Sequence, residues 1–178
     1  MEKKFELTDN FVINGFGIKL FQIKCTKSFK YANEGDLGGY VEKEDNLSQS
    51  GDAWVSGNAQ VSGNARVYGN ARVYGDAQVY GYARVSGDAQ VYGDAQVSGK
   101  ARVENNHMHC GFDCFGSCNR HTHAYKTKGN KVEITCGCFR GSLEEFEKKV
   151  EDTHKGTIYE KQYKAIINLI KIKFGIDG

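Results

Sequence analysis

The sequence predicts a mainly β chain built around a parallel solenoid, with a strand-rich cap before it and a small α+β module after it. Three observations carry that prediction. From Gly51 to Glu104 one six-residue phrase recurs nine times without an insertion: GDAWVS, GNAQVS, GNARVY, GNARVY, GDAQVY, GYARVS, GDAQVY, GDAQVS and GKARVE. Its third residue is always Ala and its fifth always Val, so on an extended chain both side chains fall on one side. Gly, followed mostly by Asp or Asn, opens each phrase and supplies a bend that tolerates positive φ. Six residues cannot bury a face alone. The phrases must therefore stack, each pairing its backbone with the one below at roughly 4.8 Å per rung. The 3.6-residue period of a helix is absent from this stretch.

The array resembles the hexapeptide-repeat family of left-handed parallel β-helices, in which an aliphatic residue is followed four positions later by a small one, as in Val55 to Ala59. It departs from the commonest form by placing Gly two residues after the aliphatic rather than one. The resemblance implies three phrases to a triangular coil, and hence an 18-residue period. The register extends upstream: Val41 and Leu47 fall on the Ala53 position, with Lys43 and Gln49 replacing the inward Val. Residues 39–50 then form two irregular hexads, and the coil spans 39–104 in about three and a half turns.

Residues 1–38 read as the cap. Phe5, Leu7, Phe11, Val12, Ile18, Leu20, Phe21, Ile23 and Phe29 are interrupted by Asp9-Asn10 and by Asn14-Gly15, the latter a hairpin signal. A solenoid end leaves strand edges unpaired and an apolar cross-section open, so a cover is expected there. The passage from Gly35 through Tyr40 and Asn46-Leu47-Ser48 to Trp54-Val55 resembles the entry to the repeats in hypothetical hexapeptide proteins of bacteria and their phages. After Glu104 the composition changes. Residues 105–123 predict a Cys/His-rich loop, and 124–178 a ββαα module with strands at 124–128 and 131–136. Ser142 with Glu145 is a capping box opening a helix that shares Leu143, Phe146 and Val150 on one face. A second helix, roughly 157–173, presents Tyr163, Ile166, Ile167, Ile170 and Phe174. The run from Cys136 to Phe146 resembles a module recurring in phage-related proteins.

A net charge of +2 argues against binding of bulk nucleic acid, though not against a local basic patch. No apolar run approaches the roughly 18 residues of a membrane helix, and no charged-then-apolar leader follows Met1, so neither membrane insertion nor export is expected. Without a leader, the Cys110-x-x-x-Cys114 and Cys136-x-Cys138 spacings read as reduced thiols in a cytoplasm, a bacterial host's if the chain is phage-encoded.

An 18-residue period sorts the outward fourth positions into columns. Trp54, Arg72 and Gln90 share one, Gln60, Gln78 and Gln96 a second, and Arg66, Arg84 and Arg102 a third. Stacked amides hydrogen-bond along the axis, so the glutamine ladder reads as structural. Three guanidiniums at rung spacing repel one another unless something negative lies between them. Arg forks favour phosphate or carboxylate, and Tyr68 and Tyr82, beside the column, can stack on a base. Acidic residues of a neighbouring subunit, or screening by water and salt, would satisfy the column equally.

Cys110, Cys114, Cys118, His121 and His123 are the candidate zinc ligands. Zinc takes four S or N donors, often in pairs two to four residues apart, although this run does not reproduce a C-x-x-C knuckle. The competing reading is a loop whose thiols pack as small hydrophobes. A thiol nucleophile, Cys136 or Cys138 with His121, His123 or His154 as base, is a further candidate.

The resemblance implies an acyltransferase, since many hexapeptide β-helices are trimers that transfer acyl groups from coenzyme A thioesters using a histidine base. Here all histidines lie at 107 or beyond, and the repeats lack an excursion loop. The leading expectation is instead a non-catalytic binding protein, a homotrimer holding a small anionic ligand with Arg66, Arg84, Arg102, Tyr68 and Tyr82, helped by Arg120, Lys126, Lys128 and Arg140. The phage likeness implies a specific version, a sponge sequestering a cyclic nucleotide or similar immune signal. The remaining reading is a scaffold with no ligand.

Overall fold

The computed structural model describes residues 2–127, 129 and 131–176. The chain divides into two compact units, Met1–Asn106 and His107–Gly178. The first opens with an antiparallel hairpin of β1 (Phe5–Ile13) and β2 (Lys19–Cys25). Asn14 closes its turn, the side-chain oxygen accepting from the backbone N–H of Phe16 and of Ile18 at 3.0 Å each. Next come β3 (Leu37–Val41), a 3-10 turn at Glu44–Asn46, and a succession of two-residue strands, one per phrase. These are β4 (Trp54–Val55), β5 (Gln60–Val61), β6 (Arg66–Val67), β7 (Arg72–Val73), β8 (Gln78–Val79), β9 (Arg84–Val85), β10 (Gln90–Val91), β11 (Gln96–Val97) and β12 (Arg102–Val103).

The strands stack in parallel on three faces, ordered β3-β5-β8-β11, β4-β7-β10 and β6-β9-β12. Gln60 faces Gln78 and Gln78 faces Gln96, so one turn takes 18 residues, as the resemblance implied. Every Ala and Val of the nine phrases is buried. Their small, uniform volumes let successive turns sit at β-sheet distance, with Gln78 N donating to Ala95 O at 2.8 Å. The corners need glycine. Gly81 has φ of +73°, and a Cβ there would meet the Gly99 nitrogen at 3.0 Å.

The upstream register differs from expectation. Val41 pairs with Val61, and Leu47 bridges Val67, so both occupy the Val position of the phrase rather than the Ala position. Lys43 is exposed and does not stand in for an inward Val. The cause is two extra residues between Leu47 and Val55. They bring Gln49 against the cap, where its amide oxygen accepts from Lys4 N (2.8 Å) and Phe5 N (3.2 Å) while its nitrogen donates to Phe5 O (3.0 Å). β2 runs antiparallel to β3, so the hairpin extends the first face as an ordinary sheet edge. Lys4 is buried beneath it, donating to Ala53 O (2.8 Å) and Gly51 O (3.2 Å), and burial pulls its pKa down to about 8.

In the second unit the segment expected as a Cys/His-rich loop forms a hairpin, β13 (His109–Phe115) with β14 (Arg120–Lys126). β15 (Val132–Cys136) and β16 (Phe139–Ser142) complete an antiparallel sheet in the order β13-β14-β15-β16. Four strands therefore precede the helices where two were expected. Cys110, Phe112 and Ala124 turn to the core, and their intervening neighbours turn to the other face. Lys128 and Asn130, between β14 and β15, lie outside the described residues. Helix α1 (Leu143–His154) begins with the expected capping box: Ser142 Oγ accepts from Glu145 N at 3.2 Å, and Glu145 Oε2 accepts from Ser142 N at 2.7 Å. Helix α2 (Ile158–Phe174) ends at Gly175, in the left-handed conformation. Leu143, Phe146, Val150, Ile166 and Ile170 pack with Ala124 and Ile134 into one core. Among the described residues no helix is long and apolar enough to cross a membrane.

Candidate functional site

The face β6-β9-β12 carries the arginine column. Arg66 pairs with Arg84 and Arg84 with Arg102, so residues far apart in sequence become neighbours on successive rungs. Arg66 and Arg84 are exposed and Arg102 is half-buried. Among the described residues none of the three forms a salt bridge. A groove of about 530 Å³ runs over the lower rungs, bordered by Arg66, Arg84, Tyr68, Glu44 and Asp45. Glu44 is engaged by Lys3 at 2.6 Å. Tyr68 follows Arg66 by two residues and so shares its side of the strand. Tyr82, 67% exposed, stands at the corner that leads into β9. Arg66, Arg84 and Arg102 thus stack in register, and Arg66, Arg84 and Tyr68 border one groove, whereas Arg102 and Tyr82 do not line it.

The other two faces are occupied by their own side chains. Arg72 lies between the rings of Tyr31 (4.8 Å) and Tyr74 (4.9 Å), and Tyr74 stacks on Tyr92 at 5.5 Å. The glutamine column is in register, Tyr80 Oη donates to Gln96 Oε1 at 3.5 Å, and Phe16 at the hairpin tip packs on Tyr80 at 5.5 Å. Of the arginines on the outside of the coil, the third column alone lacks aromatic partners among the described residues.

The remaining described basic candidates, Arg120, Lys126 and Arg140, belong to the second unit and have different partners. Arg140 grips Glu133 through Nε (3.1 Å) and Nη2 (2.9 Å), Lys126 Nζ sits 5.9 Å from the Phe174 ring, and Arg120 borders a small cavity. The candidate zinc ligands are likewise dispersed. Cys110 packs on the helical core, where burial pushes its thiol up to about 11, while Cys114 and Cys118 are exposed. His121 Nδ1 bonds the Asp113 carboxylate, and His123 Nε2 lies 3.0 Å from His109 Nδ1. Burial, with help from Lys173 and His121, holds His109 down at about 4. Among the described residues no three Cys, His, Asp or Glu side chains converge as a metal ion needs.

Of the thiol nucleophile candidates, Cys136, Cys138 and His154 line one cavity, whereas His121 and His123 alternate with Thr122 and Ala124 onto the opposite face of the sheet. Asp113, Lys149 and Tyr163 were not singled out as site residues from sequence. Once β13 and α1 are recognised, alternation along the strand and the i, i+3, i+4 spacing of the helix place the first two.

Three overlapping stretches of the coil, residues 59–75, 65–81 and 77–93, match the family model described as YdcK Beta solenoid repeat. No curated protein matches the chain significantly. Repeat match and strand register agree.

Proposed function

We propose that this β-solenoid repeat protein is a non-catalytic binding protein whose arginine face holds a small phosphorylated anion, in the specific reading a nucleotide. One observation carries the proposal: Arg66, Arg84 and Arg102 stack in register with no salt bridge among the described residues. Guanidiniums at roughly 4.8 Å spacing repel one another, and a multivalent anion between them converts repulsion into attraction. Their planar forks suit phosphate oxygens, and Tyr68 and Tyr82 offer rings to a base. The coil itself contains no histidine, so it offers no imidazole base for acyl transfer.

Thermal unfolding of the full chain with cyclic nucleotides, nucleoside triphosphates, inorganic tripolyphosphate and acetyl-coenzyme A tests the proposal. A ligand at about 100 times its Kd adds roughly 2.7 kcal/mol of apparent stability, and Arg84→Ala abolishes that gain. No shift with any phosphorylated compound, or a shift that survives the substitution, refutes it.

A second reading is favoured by the corners. Asn58 Nδ2 donates to Asp76 Oδ1 at 3.1 Å, with Asp94 one rung further on, and Asn70 Nδ2 donates to Asp88 Oδ1 at 3.2 Å. These two exposed acidic edges, at different corners of the coil, have the same rise as the arginine column, so copies of the chain would associate edge to face, closing as a homotrimer. Light scattering separates the two readings. A mass of three times 19.8 kDa that falls to one on Arg84→Ala at low salt assigns the column to assembly.

A further inference from the structure

The second unit contains a cavity of about 250 Å³ between the β14 start, the turn before β16 and the two helices. Its floor is apolar, formed by Phe146, Val150 and Tyr163, each at most 5% exposed. Two permanent cations, Arg120 and Lys149, border it, and no carboxylate does so among the described residues. Neither cation forms a salt bridge among the described residues. Arg120 is held in place by geometry. Its side chain folds across Gly137, whose φ is +59° and where a Cβ would collide with it. The aromatic wall is fixed too, because His154 stacks on Tyr163 at 5.4 Å and Tyr163 Oη lies 3.7 Å from Cys136 Sγ.

We propose that this cavity binds a small organic anion, a carboxylate or phosphate ester with an aryl or short alkyl body. The body fits the apolar floor, since roughly 150 Å³ of apolar cavity is enough for a benzene ring. The charged head meets Arg120 and Lys149 at the rim, where a guanidinium fork and an ammonium both favour an oxyanion. A metal cation is disfavoured in the same place despite three thiols in the lining, because Arg120 and Lys149 line the same cavity. The proposal does not depend on the assignment of the arginine face.

The exposed thiols of Cys118 and Cys138 at the cavity make the test direct. The reduced full chain is alkylated with iodoacetamide, and the rate at each cysteine is read by peptide mass spectrometry in the presence of phenyl phosphate, benzoate or neutral benzyl alcohol. Cys114, exposed in β13 and not lining the cavity, is the internal reference. At about ten times its Kd, phenyl phosphate or benzoate slows alkylation of Cys138 by about tenfold and leaves Cys114 unchanged. Arg120→Gln together with Lys149→Gln removes the protection with an unchanged circular dichroism spectrum, as both side chains are exposed. Arg84→Ala leaves it intact. Failure of both anions to protect Cys138 at concentrations on the order of 10 mM overturns the proposal. So does equal protection by benzyl alcohol, or protection that survives the double substitution.

Discussion

Removing the central charge of the arginine column should stabilise the free protein, the reverse of what loss of a surface arginine ordinarily does. Arg84 has a like-charged neighbour on each side, Arg66 and Arg102. At a rung spacing of ~4.8 Å each pair in water repels by about 0.9 kcal/mol, so about 1.7 kcal/mol acts on Arg84 before screening. Side chains that splay apart reduce this, which makes it an upper figure. With Debye lengths of about 30, 8 and 3 Å at 0.01, 0.15 and 1 M salt, the repulsion falls to about 1.5, 1 and 0.3 kcal/mol. Arg84→Gln should therefore raise stability most at low salt and almost not at all at 1 M. Arg66→Gln, which relieves one neighbour, should give about half the effect. Urea unfolding suits the measurement because urea carries no charge. Trp54, the only tryptophan and 4% exposed in the coil, supplies the fluorescence signal. With a slope near 2 kcal/mol per molar, the low-salt midpoint should rise by ~0.7 M. A midpoint that falls, or a shift equal at all salt concentrations, would show that the column is already compensated and would remove the electrostatic basis for anion binding.

Other consequences are as definite. Val79→Ala removes two fully buried carbons from the middle of the coil and should cost about 2.5 kcal/mol, read on the same Trp54 signal. Ser142→Ala deletes the α1 cap and should cost about 1 kcal/mol, seen as earlier loss of helical circular dichroism. Lys4 has a folded pKa of about 8 against 10.5 when unfolded, so between those values the unfolded chain holds the proton that the folded chain has released. Stability should rise with pH across that window and be insensitive to Lys4 below it, and Lys4→Met should flatten the rise.

The parts of this protein that could be read from its sequence are those governed by strict local periodicity. An invariant Ala and Val with a Gly corner leave one way to bury the phrase, and the 18-residue turn then places Arg66 beneath Arg84 without further information. The upstream rungs escaped because a two-residue change of spacing is decided at a distance: Gln49 is pulled out of register by the backbone of Lys4 and Phe5. The hairpin at 109–126 escaped for another reason. Its Gly, Cys and His residues have weak strand preference, β13 is irregular at left-handed Cys114 and the turn uses left-handed Asn119, so tertiary burial of Cys110, Phe112 and Ala124 decides the matter. The cavity around Arg120 is assembled from a strand, a turn and two helices, and no single stretch of sequence announces it.

Because every phrase is interchangeable inside but not outside, the coil has a natural unit of growth. Duplicating or losing three phrases together lengthens or shortens each longitudinal stripe and leaves it unbroken. Gaining one phrase keeps the interior intact yet slides glutamine beneath arginine and interrupts the charge. Variants in this stretch can therefore differ freely in whole turns, while a fractional change would preserve folding and erase the stripe.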